Sequence, residues 1–247
     1  MLDVKGKARF VSDLHLRAER PDLSGRFFSF LEDTANSGVD ALLILGDLFE
    51  YWIGDDDLDD AFNRSVAKQL RQLVTCGTRT FFLAGNRDFL IGPRFAAETG
   101  IELLPDTQKV GAGGTVTLLL HGDTLCTDDL PYQEFRHLVR SEAWQRQFLG
   151  RSLAERRAEV AHLRQRSAEA MEAKSATIMD VNAEAVGAAF AESACRRMIH
   201  GHTHRPGRHF PATTPDCERW VLSDWEQDRG DALEVDSTGV RRLDLTR

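Results

Sequence analysis

Five times along this chain, a short apolar run of the kind that makes a strand buried on both faces stops at a side chain able to hold a metal ion. Phe10-Val11-Ser12 leads to Asp13 and His15, Ala41 to Leu45 leads to Gly46-Asp47, and Thr80 to Ala84 leads to Gly85-Asn86. Thr115 to Leu120 leads to His121, and Arg197 to His200 leads to Gly201-His202-Thr203-His204. In open α/β sheets ligands gather outside the carboxyl ends of strands, so donors spread from position 13 to position 204 converge only if those ends face one crevice. A period of two puts Asp13 and His15 on one side of the chain, and the glycines beside several donors let backbones approach closely.

Helix-like stretches separate the runs. Arg26 to Ala35 carries a stripe of Phe27, Phe28, Phe30 and Leu31 and stops near Gly38; a second helix is predicted from Ala61 to about Val74. The acidic run Asp55, Asp56, Asp57, Asp59 and Asp60 lacks the glycine and distal glutamate of a calcium loop and reads as helix caps and dipole partners. Gly111-Ala112-Gly113-Gly114 lacks the spacing of a phosphate loop and reads as a hairpin bend. From Tyr132 to about Phe190 strand signals vanish and helix formers dominate, after which strands return at Arg219 to Leu222, Ala232 to Val235 and Arg241 to Leu245. The expectation is a layered α/β fold, one domain over 1–247 with a helical cap inserted at 130–192.

The composition narrows the setting. With 31 basic and 39 acidic residues the net charge is -8, so the overall field opposes nucleic acid. The four cysteines show no C-x-x-C pairing and read as reduced thiols of a cytosolic protein. The first residues form no apolar signal core, and no window approaches 18 uninterrupted apolar residues, so a soluble or peripheral protein is expected.

Asp13, His15, Asp47, Asn86, His121, His202 and His204 offer hard oxygen and intermediate nitrogen ligands without thiolate, a set suited to two divalent ions such as Mn²⁺ rather than to a structural zinc. Asp47 could bridge them. Two such ions about 4 Å apart could grip a phosphoryl group, acidify a water and stabilise an in-line displacement.

Asp13-Leu14-His15, Gly46-Asp47, Gly85-Asn86-Arg87-Asp88, His121-Gly122-Asp123 and Gly201-His202-Thr203-His204 resemble the ordered motifs of the calcineurin-like metallophosphoesterases. The resemblance implies a four-layer α/β/β/α sandwich. It assigns Asp13, His15, Asp47 and His204 to one metal and Asp47, Asn86, His121 and His202 to a second. One departure narrows it. Many phosphomonoesterases of the family have histidine after Gly-Asn, where this chain has Arg87. A proton donor helps most with a poor leaving group, whereas a departing phosphate gains more from an arginine fork, so Arg87 points to a pyrophosphate bond.

The runs around Asn86-Arg87-Asp88-Phe89, His121 to Asp129, Tyr132 to Arg136, Ile178 to Asn182 and His200 to Pro206 are similar to the branch of that family that hydrolyses UDP-2,3-diacylglucosamine in lipid A biosynthesis. That likeness implies two Mn²⁺ ions and a catalytic set of Asp47, Asn86, Arg87, His121 and His202. It implies substrate contacts from Asn86, Arg87, Asp129, Tyr132, Ser167, Lys174 and His202, and a place on the cytoplasmic face of the inner membrane. The implied partners are the UDP-diacylglucosamine lipid and an anionic membrane surface, with no nucleic acid and no obligate protein. Met171 departs from the polar residue usual there. Other dinuclear phosphoesterase activities, or a non-catalytic scaffold on the same fold, are the alternative readings.

Between Arg136 and Arg166 the helical block holds eight arginines, Arg136, Arg140, Arg146, Arg151, Arg156, Arg157, Arg164 and Arg166, against three glutamates, with Phe135, Leu138, Val139, Trp144, Phe148, Leu149 and Leu153 among them. It reads either as a basic, apolar surface suited to anionic lipid and acyl chains, or as a hairpin whose apolar face docks on the sheet.

Overall fold

In the computed structural model, which describes residues 1–173 and 180–246 and no side chains over 166–173, the apolar runs pair into two six-stranded sheets. One sheet runs in the order β12 (Gly239–Asp244), β11 (Asp231–Asp236), β2 (Ala8–Val11), β3 (Ala41–Ile44), β4 (Arg79–Leu83), β5 (Glu102–Leu104). The other runs β1 (Leu2–Val4), β6 (Thr107–Ala112), β7 (Thr115–Leu120), β8 (Arg197–His200), β10 (Glu218–Val221), β9 (Gly207–His209). Strands β2 to β5 are mutually parallel, as are β7, β8 and β10.

Strand alternation sorts the apolar residues into two cores. Ala8, Phe10, Ala41, Leu43, Phe81 and Leu83 face the second sheet, meeting Val110, Leu119 and Ile199. Val11, Leu42, Ile44 and Phe82 point the other way, onto helices α1 (Pro21–Asn36), α2 (Ala61–Thr75) and α3 (Pro93–Thr99), through Phe27, Leu70 and Phe95 among others. Burying each such side chain contributes about 1.5–3 kcal/mol, which is why these strands are apolar on both faces but for Arg9, Arg79 and Thr80. On the far side Leu118, Leu120 and Met198 meet Val186 and Phe190 of α7 (Ala183–Ser193). Helix, sheet, sheet and helix thus make four layers, the sandwich expected.

Differences from the expectation have local causes. Helix α1 begins at Pro21, earlier than Arg26, because proline at the first helical position needs no amide partner and Asp22 suits the first turn. The polar, half-exposed β6 and the short β1, β5 and β9 carried no apolar signal. The acidic run supplies caps: Asp60 accepts from Phe62 N–H (2.9 Å) at the start of α2, and Asp55 accepts from Gly92, Arg94 and Phe95 N–H (2.9, 2.9 and 3.1 Å) at the start of α3.

Between adjacent strands β7 and β8 lie α4 (Leu130–Arg140), α5 (Glu142–Leu149), α6 (Leu153–Ala173) and α7. α7 belongs to the outer layer of the sandwich. α5 docks on the loop after β4, where Trp144 stacks on Phe148 (centroids 4.7 Å) and meets Phe89 (6.2 Å).

Candidate metal centre

Each expected donor follows the carboxyl end of a strand. Asp13, Asp47 and Asn86 follow β2, β3 and β4 of one sheet, and His121 and His202 follow β7 and β8 of the other. Main-chain bonds stitch the ends together: Asp13 N–H donates to Gly46 O (3.1 Å), His15 N–H to Asp47 O (3.0 Å) and Gly201 N–H to His121 O (2.8 Å). Among the described residues six non-glycines have left-handed backbone, and five are donors: Asp13, His15, Asp47, His202 and His204. Each such residue costs about 1 kcal/mol or more, so the surrounding packing must hold them there. The glycines serve the same approach. A Cβ on Gly46 would lie 2.5 Å from Gly85 Cα and 2.6 Å from His121 Nδ1, and one on Gly201 would collide with the Asp13 carboxylate.

Two groups of donors result. Atoms of Asp13, His15 and His204 lie within 4.8 Å of one another, as do those of Asp13, Asp47 and His121. Asn86 and His202 close on the second group, the Asn86 Oδ1 lying 2.9 Å from both His121 Nε2 and His202 Nδ1. His121 Nδ1 sits 2.8 Å from Leu45 O, which fixes the tautomer and turns Nε2 toward Asp47 (3.7 Å). His204 stands between Asp13 (3.5 Å) and Asp224 (3.4 Å). Asp13 Oδ1 and His15 Nδ1 are buried with no hydrogen-bond partner, an arrangement costing about 1–3 kcal/mol per atom unless something else satisfies them. Two orphaned donor atoms among oxygen and nitrogen ligands fit a divalent cation.

The protonation pattern follows from burial. It pushes Asp47 up to about 6, and pushes Asp88 up to about 7 with help from the charge of Asp47. Burial pushes His15 down to about 4 and, aided by His121, His202 down to about 3, so both imidazoles stay neutral as ligands require. Burial opposes the charging of His121 too, but Asp47, Asp13 and Asp123 outweigh it and raise it to about 9. Burial would raise Asp13, yet the nearby His204 and the charges of the other imidazoles bring it well below the usual carboxylate range.

On the rim, Arg87 donates its main-chain N–H to Asp47 Oδ1 (2.9 Å), and its guanidinium lies 4.0 Å from Glu50. The Tyr132 ring lies 5.9 Å from that of His202, and its hydroxyl donates to Asp123 (2.8 Å), which also accepts from Arg136 Nε (2.7 Å). Asp129 caps α4, accepting from Tyr132 N–H (3.2 Å). Ser167, Lys174 and Met171 lie outside the described side chains.

Sequence reasoning passed over several residues of the site. The buried Asp88 carboxylate accepts main-chain N–H groups of Gly85 (2.9 Å), Asp47 (3.2 Å), Leu48 (2.7 Å) and Phe49 (3.4 Å), binding two donor loops into one piece. Glu50 and Asp224, which face His15 and His204, were also passed over; only the fold brings them near. The arginines of the block are largely paired, mostly with carboxylates from other parts of the chain. Arg136 and Arg140 pair with Asp106, Arg146 with Glu142, Arg151 with Glu159, Arg156 with Asp56, Arg157 with Asp57 and Arg164 with Glu50. Its apolar residues divide: Val139 and Phe148 are buried, while Leu130, Phe135, Leu138 and Leu149 are exposed.

Comparison with known proteins agrees with this geometry. Residues 7–206 match the calcineurin-like phosphoesterase family. A protein of Aromatoleum aromaticum named UDP-2,3-diacylglucosamine hydrolase is 50% identical over 222 residues, 90% of each chain. Proteins of the same name from Pseudomonas aeruginosa and Neisseria meningitidis are 44% and 42% identical, each covering 94% of this chain and 96% and 95% of their own. Among solved structures, an archaeal phosphodiesterase superposes with a TM-score of 0.51 at 12% identity, over 96% of this chain and 99% of its own, a likeness of fold. Together, the four-layer sandwich, the donors at its strand ends and these relatives make the chain a metal-dependent hydrolase that belongs to the calcineurin-like phosphoesterase family.

Proposed function

We propose that the chain hydrolyses the pyrophosphate bond of UDP-2,3-diacylglucosamine in lipid A biosynthesis, water adding at the α-phosphorus to give UMP and 2,3-diacylglucosamine 1-phosphate. The substrate rests on relatives of that name at 42–50% identity. The chemistry rests on one observation, the convergence of seven oxygen and nitrogen donors from both sheets beside Arg87. Asp13, His15, Asp47 and His204 would hold one Mn²⁺ and Asp47, Asn86, His121 and His202 a second, supplying charge neutralisation at the phosphoryl oxygens and a more acidic water.

The chain's own residues set the rest. Asp47 Oδ1 fixes the main chain of Arg87, leaving its partly exposed guanidinium to meet the departing phosphate. As the bond from the α-phosphorus to the bridging oxygen breaks, its electron pair stays on that oxygen. The leaving sugar phosphate is already a stable anion, so an arginine fork serves it better than a proton donor. Asn86, Asp129, Tyr132, Ser167, Lys174 and His202 complete the substrate contacts in this reading. Arg87→Ala should cripple turnover with both metals still bound, as paired metal analysis and kinetics would report.

The exposed Leu130, Phe135 and Leu138 of α4 suit contact with an anionic bilayer on the cytoplasmic face of the inner membrane. No helix of the described residues is long and apolar enough to cross a membrane.

The test is release of UMP in the presence of Mn²⁺ from the diacylated substrate and from UDP-N-acetylglucosamine, in ¹⁸O-labelled water. Fast release from the first alone, with the label in UMP, is expected. Equal rates would make the chain a general UDP-sugar hydrolase, label in the sugar phosphate would move the attack to the β-phosphorus, and no turnover of either by metal-loaded protein would end the proposal.

A further inference from the structure

The loop after β3 carries a carboxylate that this chemistry leaves unused. Glu50 is buried three residues beyond Asp47, and its N–H donates to Leu16 O (3.1 Å), stitching it to the loop that holds His15. Basic side chains from three separate segments surround it. Oε1 lies 2.7 Å from Arg164 of α6 and 4.0 Å from Arg87 of the loop after β4. Oε2 lies 3.3 Å from Arg17 and 3.9 Å from His15 Nδ1, both in the loop after β2. A single carboxylate facing three guanidiniums leaves net positive charge on the rim of the site. The Arg87 guanidinium makes no hydrogen bond to Glu50 at 4.0 Å, but among the described residues Glu50 is the carboxylate whose charge lies in ion-pair range of it.

Helix α6 is pinned at two heights. At the lower, Arg156 is buried and donates to Ile53 O (2.5 Å) and Asp56 (2.9 Å), with Arg157 paired to Asp57 beside it. Eight residues on, about 12 Å along the axis, Arg164 makes the upper pin, its guanidinium over the Tyr51 ring (5.5 Å) and ion-paired with Glu50. The acid that faces Arg87 therefore also docks the helix.

We infer that Glu50 is a positioning residue, orienting Arg87 toward the phosphoryl group and tying it through Arg164 to the cap helix. This rests on the role given to Arg87 above.

The experiment compares E50Q, E50D, R164Q and the E50Q/R164Q double variant of the metal-loaded chain by kinetics on UDP-2,3-diacylglucosamine, metal content and hydrogen exchange of α6. E50Q should lower kcat and kcat/KM together, by about 10- to 100-fold, with metal retained. E50D keeps the charge and should recover part of that loss. R164Q should cost about 10-fold in the parent chain but less than about twofold in the E50Q background, since both remove one connection. Exchange around Arg164 should quicken alike in E50Q and R164Q. Metal loss in E50Q alone would place its role at His15 and overturn the inference, as would additive losses or unchanged kcat. If the parent chain does not turn over this substrate, the proposed function fails, while the exchange and metal measurements still judge Glu50.

Discussion

Gly85 sets the spacing of two donor loops by lacking a Cβ, because a methyl group there would fall on the carboxylate and main-chain nitrogen of Asp47. Gly85→Ala should therefore lower metal content and cut turnover by about 100-fold or more, while far-ultraviolet dichroism stays that of a folded sandwich. Retained metal and activity would mean that the loops part at little cost. His200 offers a different test, since it is buried beside the donors without belonging to them. Burial and the Arg219 guanidinium, 2.9 Å from its Nε2, push its imidazole down to about 3. Between pH 3 and 6.5 the unfolded chain thus binds a proton that the folded chain does not, and stability falls as pH falls through that window. For the metal-free protein, His200→Gln should flatten this acid limb by about 1.4 kcal/mol per pH unit, measured from urea midpoints; an unchanged slope would count against the assignment.

At the scale of elements, helix α6 depends on Arg156 more than on its own composition. Arg156→Met keeps the length of the side chain but leaves Ile53 O without its donor, while Asp56, more than half exposed, is rehydrated. A local loss of about 1–3 kcal/mol is expected, seen as faster exchange along α6 with little change in the melting of the sandwich. No single residue type could have announced this contact. Strand β3 was readable as an uninterrupted apolar run and β7 and β8 by their apolar centres, because these residues are largely buried on both faces, and the donors after them were readable because each follows such a run. Lys109 and Gln108 hid β6, whose pairing is supplied by its hairpin partner. Arginine content announced a basic surface, but whether Arg157 meets water or Asp57 depends on a fold that brings positions 100 apart together. Asp88 stood inside a visible motif, yet three of its four main-chain bonds, those from Asp47, Leu48 and Phe49, exist only once the loops after β3 and β4 are neighbours.

For the whole molecule, the donors come from both sheets, so bound metal would add a further tie between halves that meet through their apolar faces and through bonds such as that of His121 to Leu45 O. Free metal at about 100 times its dissociation constant adds about 2.7 kcal/mol to stability. In a chain of this size that raises the melting temperature by roughly 5–10 °C over a chelated sample, by calorimetry. Equal melting temperatures would indicate that metal is not held by the folded state. The same division of ligands bears on the order of events during synthesis. Asp13 meets the main chain of His202 across 189 positions, so a growing chain that has completed the first sheet's parallel strands still lacks His121, His202 and His204. Metal uptake must then wait until nearly the entire polypeptide has left the ribosome, and a product terminated before Gly201 would be expected to reach the cell without its metal and without a means of acquiring it.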